Sequence, residues 1–122
     1  MRIGQLSEHF FFSGQIEPEY LPKLAEHGFK TIVCNRPDGE DWGQPAAAEI
    51  AAAAEEHGMG FIHIPVVSGR ITPQNVQDFN EKCGDLDGPV LLYCRSGARC
   101  AELWQLAAVQ PDNPGTIIND NK

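Results

Sequence analysis

The stretch YCRSGARCAEL, residues 93–103, ends an apolar run, PVLLY (89–93), and leads into a segment with helical character. A chain passing so abruptly from strand to helix must curl until successive backbone N–H groups point inward. Gly97 permits the angles that such a curl needs. A nest of inward N–H groups binds anions, and the N-terminus of the following helix adds partial positive charge. Arg95 and Arg99 bring full charges close by. Each effect favours thiolate over thiol, so the sequence predicts that Cys94 titrates well below the ordinary cysteine value of about 8.5 and acts as a nucleophile. Arg99 is its catalytic partner, and Arg95, Ser96, Gly97 and Ala98 form the anion-binding loop.

Outward from this junction, period and punctuation give a regular alternation. RIGQL (2–6) and HFFFSG (9–14) read as an N-terminal strand pair. EPEYLPKLAEHG (17–28) reads as a helix with Leu21, Leu24 and Ala25 on one face and Gly28 as its stop. KTIVCN (30–35) is a buried strand, followed by the Pro-, Gly- and Asp-rich loop RPDGEDWGQ (36–44). An alanine-rich helix has Pro45 near its first turn and Gly58 as its stop. GFIHIPV (60–66) is the next strand. Thr72 and Pro73 supply an N-cap and first turn for a helix through about Leu86, with Val76, Phe79 and Cys83 inward. After the third core strand, ARCAELWQLAAVQ (98–110) closes the domain. Residues 1–110 are thus one domain and 111–122 a polar, turn-rich tail. The fold class is α/β: a three-layer sandwich, a mostly parallel central sheet with helices on both faces. Such sheets bind ligands at the carboxyl ends of their strands. Three loops meet there, NRPDGED (35–41), VVSGR (66–70) and CRSGAR (94–99), and they carry Arg36, Arg70, Arg95 and Arg99.

The chain has 122 residues and a formal net charge of -8. That balance argues against a nucleic-acid or anionic-membrane partner, since both need a basic footprint. Cations gathered at one edge of an acidic protein suit a small anion instead. The N-terminal residues lack the long apolar run of a secretory signal, and no segment reaches the length of a membrane span, so a cytoplasmic location is the expectation. The four cysteines, Cys34, Cys83, Cys94 and Cys100, include no C-x-x-C pair, and no histidine pair has metal-ligand spacing. Neither a zinc site nor any cofactor is expected.

The motifs NRPDGE, HIPV and CRSGAR resemble the β-lactamase-hydrolase-like (DUF442) phosphatase-like domain, found in bacteria alone or fused to a metallo-β-lactamase-type persulfide dioxygenase. The resemblance implies a fold like that of the dual-specificity tyrosine phosphatases. The loop departs from the tyrosine-phosphatase pattern H-C-x5-R-[ST]. Gly97 fits its glycine place, but Arg99 comes one residue early, Cys100 stands where that arginine belongs, and Tyr93 replaces the histidine. C-R-x-G-x-R instead resembles the loop of single-domain rhodaneses. The loop after the second core strand, PVVSGRIT, also lacks the aspartic general acid that a phosphatase of this fold wants, a loss worth about 10²–10⁴-fold.

These departures favour a sulfurtransferase as the main expectation. Cys94 takes a sulfane sulfur from thiosulfate or a low-molecular-weight persulfide and passes it to a thiol or other acceptor by ping-pong kinetics. The partners are then a small anionic sulfur donor, a thiol acceptor and, from the family context, a persulfide dioxygenase. One alternative is a cysteine-dependent phosphatase acting through a phosphocysteine, with Asp38, Glu40 or Asp41 as acid. The other is a non-catalytic anion- or persulfide-binding module. Arg36, Asp38, Ser68 and Arg70 form a supporting rim, with Arg36 and Asp38 pairing to brace their loop. Cys34 and Cys83 read as core residues. Cys100 reads as packing or as a resolving thiol for oxidised Cys94. His63 reads as a strand residue, Trp42 as a loop lid and Trp104 as a core anchor.

Overall fold

The computed structural model describes residues 1–107. Five strands, β1 (Ile3–Gln5), β2 (Phe10–Ser13), β3 (Thr31–Cys34), β4 (Gly60–His63) and β5 (Val90–Tyr93), form one sheet in the order β1-β2-β5-β3-β4. β1 runs antiparallel to β2, and every other pairing is parallel. The α/β sandwich expected from the sequence is the architecture observed. The expected N-terminal strand pair is present, and its second strand also joins the parallel sheet beside β5 in the register Phe12↔Leu92, Ser13↔Tyr93.

Four helices cover the sheet: α1 (Leu21–Glu26), α2 (Ala47–Glu56), α3 (Pro73–Cys83) and α4 (Ala98–Leu106). The period-two alternation of the strands divides the core. Phe10, Val33, Val90 and Leu92 face Phe79 and Cys83 of α3 and Leu103 and Trp104 of α4. Ile32, Cys34, Leu91 and Tyr93 face Leu21 and Leu24 of α1 and Ile50 and Ala54 of α2. All four residues of β5 are buried, as the continuous apolar run PVLLY requires of a strand covered on both faces. Trp104 packs on Phe10 with ring centroids 4.8 Å apart and meets Phe79 edge-on at 6.3 Å. These contacts hold α4 against the sheet and so fix where its N-terminus points.

Two helix boundaries differ from the sequence expectation. The helix expected over 17–28 enters as a 3-10 turn, Pro18–Tyr20, before α1 begins. Pro22 has no N–H to donate, so a regular α-helical ladder cannot start earlier. α3 ends at Cys83 rather than Leu86, although Thr72 caps it as expected, its hydroxyl accepting from Asn75 N at 3.1 Å. α4 starts at Ala98, directly after Gly97. Residues 108–110 of the expected closing helix and the tail 111–122 lie outside the described residues.

Topology places the site. The chain passes from β2 through α1 to β3, leaving a gap that β5 later fills. The loops after β2 and β3 therefore diverge around the carboxyl end of β5, which is the crevice where open α/β sheets take ligands.

Candidate active site

Cys94 directly follows β5, and the chain then curls through Arg95–Gly97 into α4. Gly97 has a φ of 98°. Its N–H donates to the Cys94 sulfur at 3.0 Å. A Cβ there would meet Phe12 Cδ2 at 3.0 Å, so both backbone angle and space call for glycine. The loop after β2 braces the curl from outside: Gln15 N donates to Arg95 O at 3.2 Å, and a Cβ on Gly14 would lie 2.9 Å from that same oxygen. Ser96 and Ala98 are exposed on the crest of the loop, with Ser96 Oγ accepting from Ala98 N at 3.3 Å.

The Cys94 thiol titrates at about 5, and the largest cause is a hydrogen bond from the Cys100 side chain. Burial opposes this, while the backbone N–H groups of Cys100, Gly97 and Arg99 reinforce it. The nest therefore acts as the sequence predicted, but the agent differs. The sequence points to the nest, the helix N-terminus and the arginine charges together, without the neighbouring thiol. The neighbouring thiol outweighs the arginine charges, because Arg95 turns outward and Arg99 is committed to a carboxylate. The other cysteines move the opposite way. Burial pushes Cys83 up to about 12 and raises Cys34 and Cys100 as well. Cys34 and Cys83 lie in the core as expected. Among the described residues no cluster of His, Cys, Asp and Glu could hold a metal ion.

Arg99 is only 6% exposed despite its charge. Its Nη1 donates to Glu40 Oε2 at 2.7 Å and to the Val66 carbonyl at 2.7 Å, and its Nη2 donates to Glu40 Oε1 at 2.9 Å. A guanidinium has five N–H donors in a rigid plane. Three are spent here. The two left, on Nε and Nη2, share one edge of the plane, the edge suited to side-on bidentate binding of an oxyanion. Glu40 thus holds Arg99 from behind without closing its binding edge. Its carboxylate is held below the usual range, first by Arg99 and also by Arg36.

Arg36 is the hub behind this grip. Although buried, it donates from Nε to Glu40 Oε1 at 2.9 Å, from Nη1 to Gln15 Oε1 at 2.9 Å, and from Nη2 to Asp41 Oδ2 at 2.7 Å. Asp41 Oδ2 also meets Arg95 Nε at 2.9 Å. Buried charges need such full pairing to offset desolvation. The expected Arg36–Asp38 pair is not formed. Asp38 Oδ1 instead accepts from Ala47 N at 2.8 Å, capping α2, whose own N-cap residue, Ala46, has no side chain able to do so. Arg36 and Asp38 both brace the 36–46 loop, Arg36 from a buried position and Asp38 from an exposed one.

Ser68 lines a cleft of about 570 Å³ with Arg95, Ser96, Ala98, Arg99 and Glu102. Arg70 does not line it; its N–H donates to Val67 O at 2.9 Å, closing the turn before α3. A second cleft, of about 670 Å³, lies across the Arg95–Ser96 crest and is lined by Arg2, Ser13, Gln15 and Tyr20 among others. His63 Nε2 is hydrogen-bonded to Arg36 O at 2.9 Å, the bonded strand residue expected rather than a free base. Trp42 stands fully exposed on the 36–46 loop, and Trp104 anchors the core.

Residues 2–110 match the family model described as the β-lactamase hydrolase-like protein, phosphatase-like domain. The chain belongs to this family. It is 35% identical over 106 residues to the β-lactamase hydrolase-like protein of Agrobacterium fabrum and 34% identical over 109 residues to that of Xylella fastidiosa. These stretches cover 87% and 89% of the chain but 25% of each relative, so the chain spans about a quarter of their length. Among solved structures, a phosphatase candidate from Neisseria meningitidis is 42% identical with a TM-score of 0.78, covering 85% of this chain and 74% of that one. The core catalytic domain of the PP-IP phosphatase SIW14 from S. cerevisiae, solved with citrate, is 15% identical with a TM-score of 0.61, covering 78% of this chain and 56% of that one, and shows the fold alone. The resemblance read from NRPDGE, HIPV and CRSGAR is borne out. For the chemistry, the family description and the Neisseria structure favour the phosphatase alternative over sulfur transfer.

Sequence reasoning passed over two features of this family member's site. Glu40 reads from the sequence as an acid, although its spacing four residues from Arg36 is also that of an ion pair. Cys100 was considered as packing or as a resolving thiol, but not as the donor that acts on Cys94.

Proposed function

We propose that the protein is a cysteine-dependent phosphatase that hydrolyses phosphomonoesters through a phosphocysteine at Cys94. The observation that carries this is the pairing of a thiolate, held in a nest of N–H groups, with Arg99, whose Nε–Nη2 edge is free among the described residues. The phosphoryl oxygens take those donors, and the Cys94 sulfur attacks phosphorus in line with the leaving oxygen. The P–S bond forms as the P–O bond breaks. Water then cleaves P–S, releasing phosphate and restoring the thiolate.

The leaving oxygen needs a proton unless it departs as a stable anion. No carboxylate stands on the loop between β4 and α3, and Glu40 and Asp41 are engaged by arginines. The substrate class best suited is therefore an ester or anhydride with a good leaving group, aryl phosphates foremost. Alkyl phosphates should be slower by about 10²–10⁴-fold, the usual worth of a general acid.

The same missing acid, with the short C-x4-R loop, favours a second reading: sulfur transfer through a Cys94 persulfide, with a persulfide dioxygenase as a partner of the pathway. One experiment separates the two. The protein is mixed with an aryl phosphate or with thiosulfate, quenched and weighed intact. Phosphate bound to Cys94, together with steady release of the aryl alcohol, supports the phosphatase. A cyanide-labile sulfur adduct without aryl alcohol release overturns it in favour of sulfur transfer. Neither adduct nor turnover overturns both and leaves an anion-binding module.

A further inference from the structure

The Arg95–Ser96 crest separates two clefts, and the larger, of about 670 Å³, plays no part in the chemistry at Cys94. Its existence follows from topology. β1 is antiparallel to a sheet whose other strands all run parallel, so its amino end lies at their carboxyl edge. Ile3 pairs with Ser13, the last residue of β2, and this brings Arg2 alongside the loop that follows β2. That loop runs on through the buried Ile16 to the 3-10 turn Pro18–Tyr20, where Tyr20 supplies a further wall.

The lining runs against the composition of the chain. The sequence has 17 Asp and Glu against 9 Lys and Arg. The cleft is nevertheless lined by two arginines, Arg2 and Arg95, and, among the described residues, by no carboxylate. The Arg2 guanidinium has no ion-pair partner among the described residues, and Asp41, which pairs with Arg95 at Nε, is not part of the lining. Two neutral polar side chains of the cleft are already engaged. Ser13 donates to Gly14 O at 2.9 Å, and Gln15 donates to Ile16 O at 2.9 Å while accepting from Arg36. Ile3, Phe12 and Tyr20 give the cleft an apolar wall, with Ile3 and Tyr20 exposed. An aromatic ring suits that wall, and an oxyanion suits the planar N–H forks of the arginines. The volume is that of a small-molecule site.

We propose that this cleft seats the leaving group of the substrate, and that the substrate is an aryl phosphate whose ring carries a second anionic group, held by Arg2 and Arg95; this rests on the phosphatase reading, which places the first anionic group over Cys94. Arg95 and Ser96 line both clefts, so a ligand anchored in the nest extends across the crest into the second. The second anion brings selectivity as well as affinity. In a chain of net charge -8, an added negative charge is repelled except where cations are gathered to receive it.

Binding is measured without turnover, as protection of Cys94 from iodoacetamide by two phenylphosphonates in their meta and para forms. One carries a carboxymethyl group, and the other carries its neutral isostere, a carbamoylmethyl group. In the better isomer the acid should protect at about tenfold lower concentration than the amide. The advantage should fade at about 1 M salt, where the Debye length is about 3 Å. Arg2→Gln should abolish the advantage and leave protection by the amide unchanged, whereas Tyr20→Ala should weaken acid and amide alike. Equal protection by acid and amide in the wild type, or an equal loss of both in Arg2→Gln, would overturn the proposal. The corresponding phosphates are then assayed for release of the phenol. Release with no preference for the acid keeps the phosphatase and removes the subsite. A preference in protection without release removes the phosphatase and keeps a second anion subsite.

Discussion

Cys83 and Cys94 are both buried in the core layer under α3 and α4, yet they titrate at opposite extremes, about 12 and about 5. Burial pushes both thiols up. The difference lies in what surrounds them. Cys83 is the last residue of α3, at the carbonyl end of a helix, where the dipole is negative and, among the described residues, no hydrogen-bond donor is aimed at the sulfur. Cys94 precedes the first turn of α4, at an amino end, with the N–H of Gly97 donating to its sulfur at 3.0 Å and the Cys100 thiol the largest influence lowering its pKa. A buried cysteine is inert by default and becomes a nucleophile only where the fold gathers donors around it.

Exchanging each thiol for a hydroxyl gives the largest contrast. Cys94→Ser should lose turnover by at least about 10³-fold, since a serine hydroxyl is not ionised by the same nest. Cys83→Ser should keep the activity and lose about 1–3 kcal/mol of stability, by burying a hydroxyl that has no partner. Steady-state assays and urea unfolding measure the two. Equal loss of turnover in both variants would break the distinction.

Glu40→Gln comes next. It removes the carboxylate behind Arg99 and leaves both buried arginines short of a counter-charge. A drop of about 10–100-fold in kcat/KM is expected from misplacement alone, on the scale seen when a distant change shifts a reacting group by about an ångström. Most of the loss should fall in kcat, with Cys94 still alkylated at the wild-type rate. An equal loss of alkylation would assign Glu40 to folding of the loop instead.

Gly97→Ala forces a side chain onto a φ of 98° and against the Phe12 ring. A cost of about 1–2 kcal/mol is expected from the left-handed backbone alone, read as a lower Tm, with slower alkylation of Cys94 as the loop opens.

The pH dependence of stability has opposite signs for the two thiols. The folded value for Cys94 lies below the unfolded value of about 8.5. Its contribution is therefore full above that pH and fades as pH falls toward 5. The folded value for Cys83 lies above the unfolded one, so its contribution is full below about 8.5 and fades as pH rises toward 12. Urea midpoints between pH 5 and 8 should climb in the wild type, with a shallower slope in Cys94→Ser and an unchanged one in Cys83→Ser.

Much of this was legible in the sequence, for physical reasons. PVLLY announces a strand buried on both faces, and Thr72-Pro73 announces a helix start. Gly97 between Cys94 and Arg99 announces the nest. These are local signals, written within a few residues of where they act. The partners of the arginines were not legible, because Glu40 and Arg99 lie 59 positions apart and meet only once β3 and β5 are neighbours. Asp38 misled for a related reason. Its nearness to Arg36 in the chain suggested an ion pair, but the unmet N–H groups at the start of α2 claim its carboxylate first.

The most direct test of the account is the ultraviolet absorbance of the thiolate followed across pH in the folded protein, with Cys94→Ser as the blank. A single thiolate appearing with a midpoint near 5, and absent in the variant, is the predicted result. No thiolate signal below about pH 8 would show that the donors around Cys94 do not overcome its burial, and the proposed nucleophile would be lost with it.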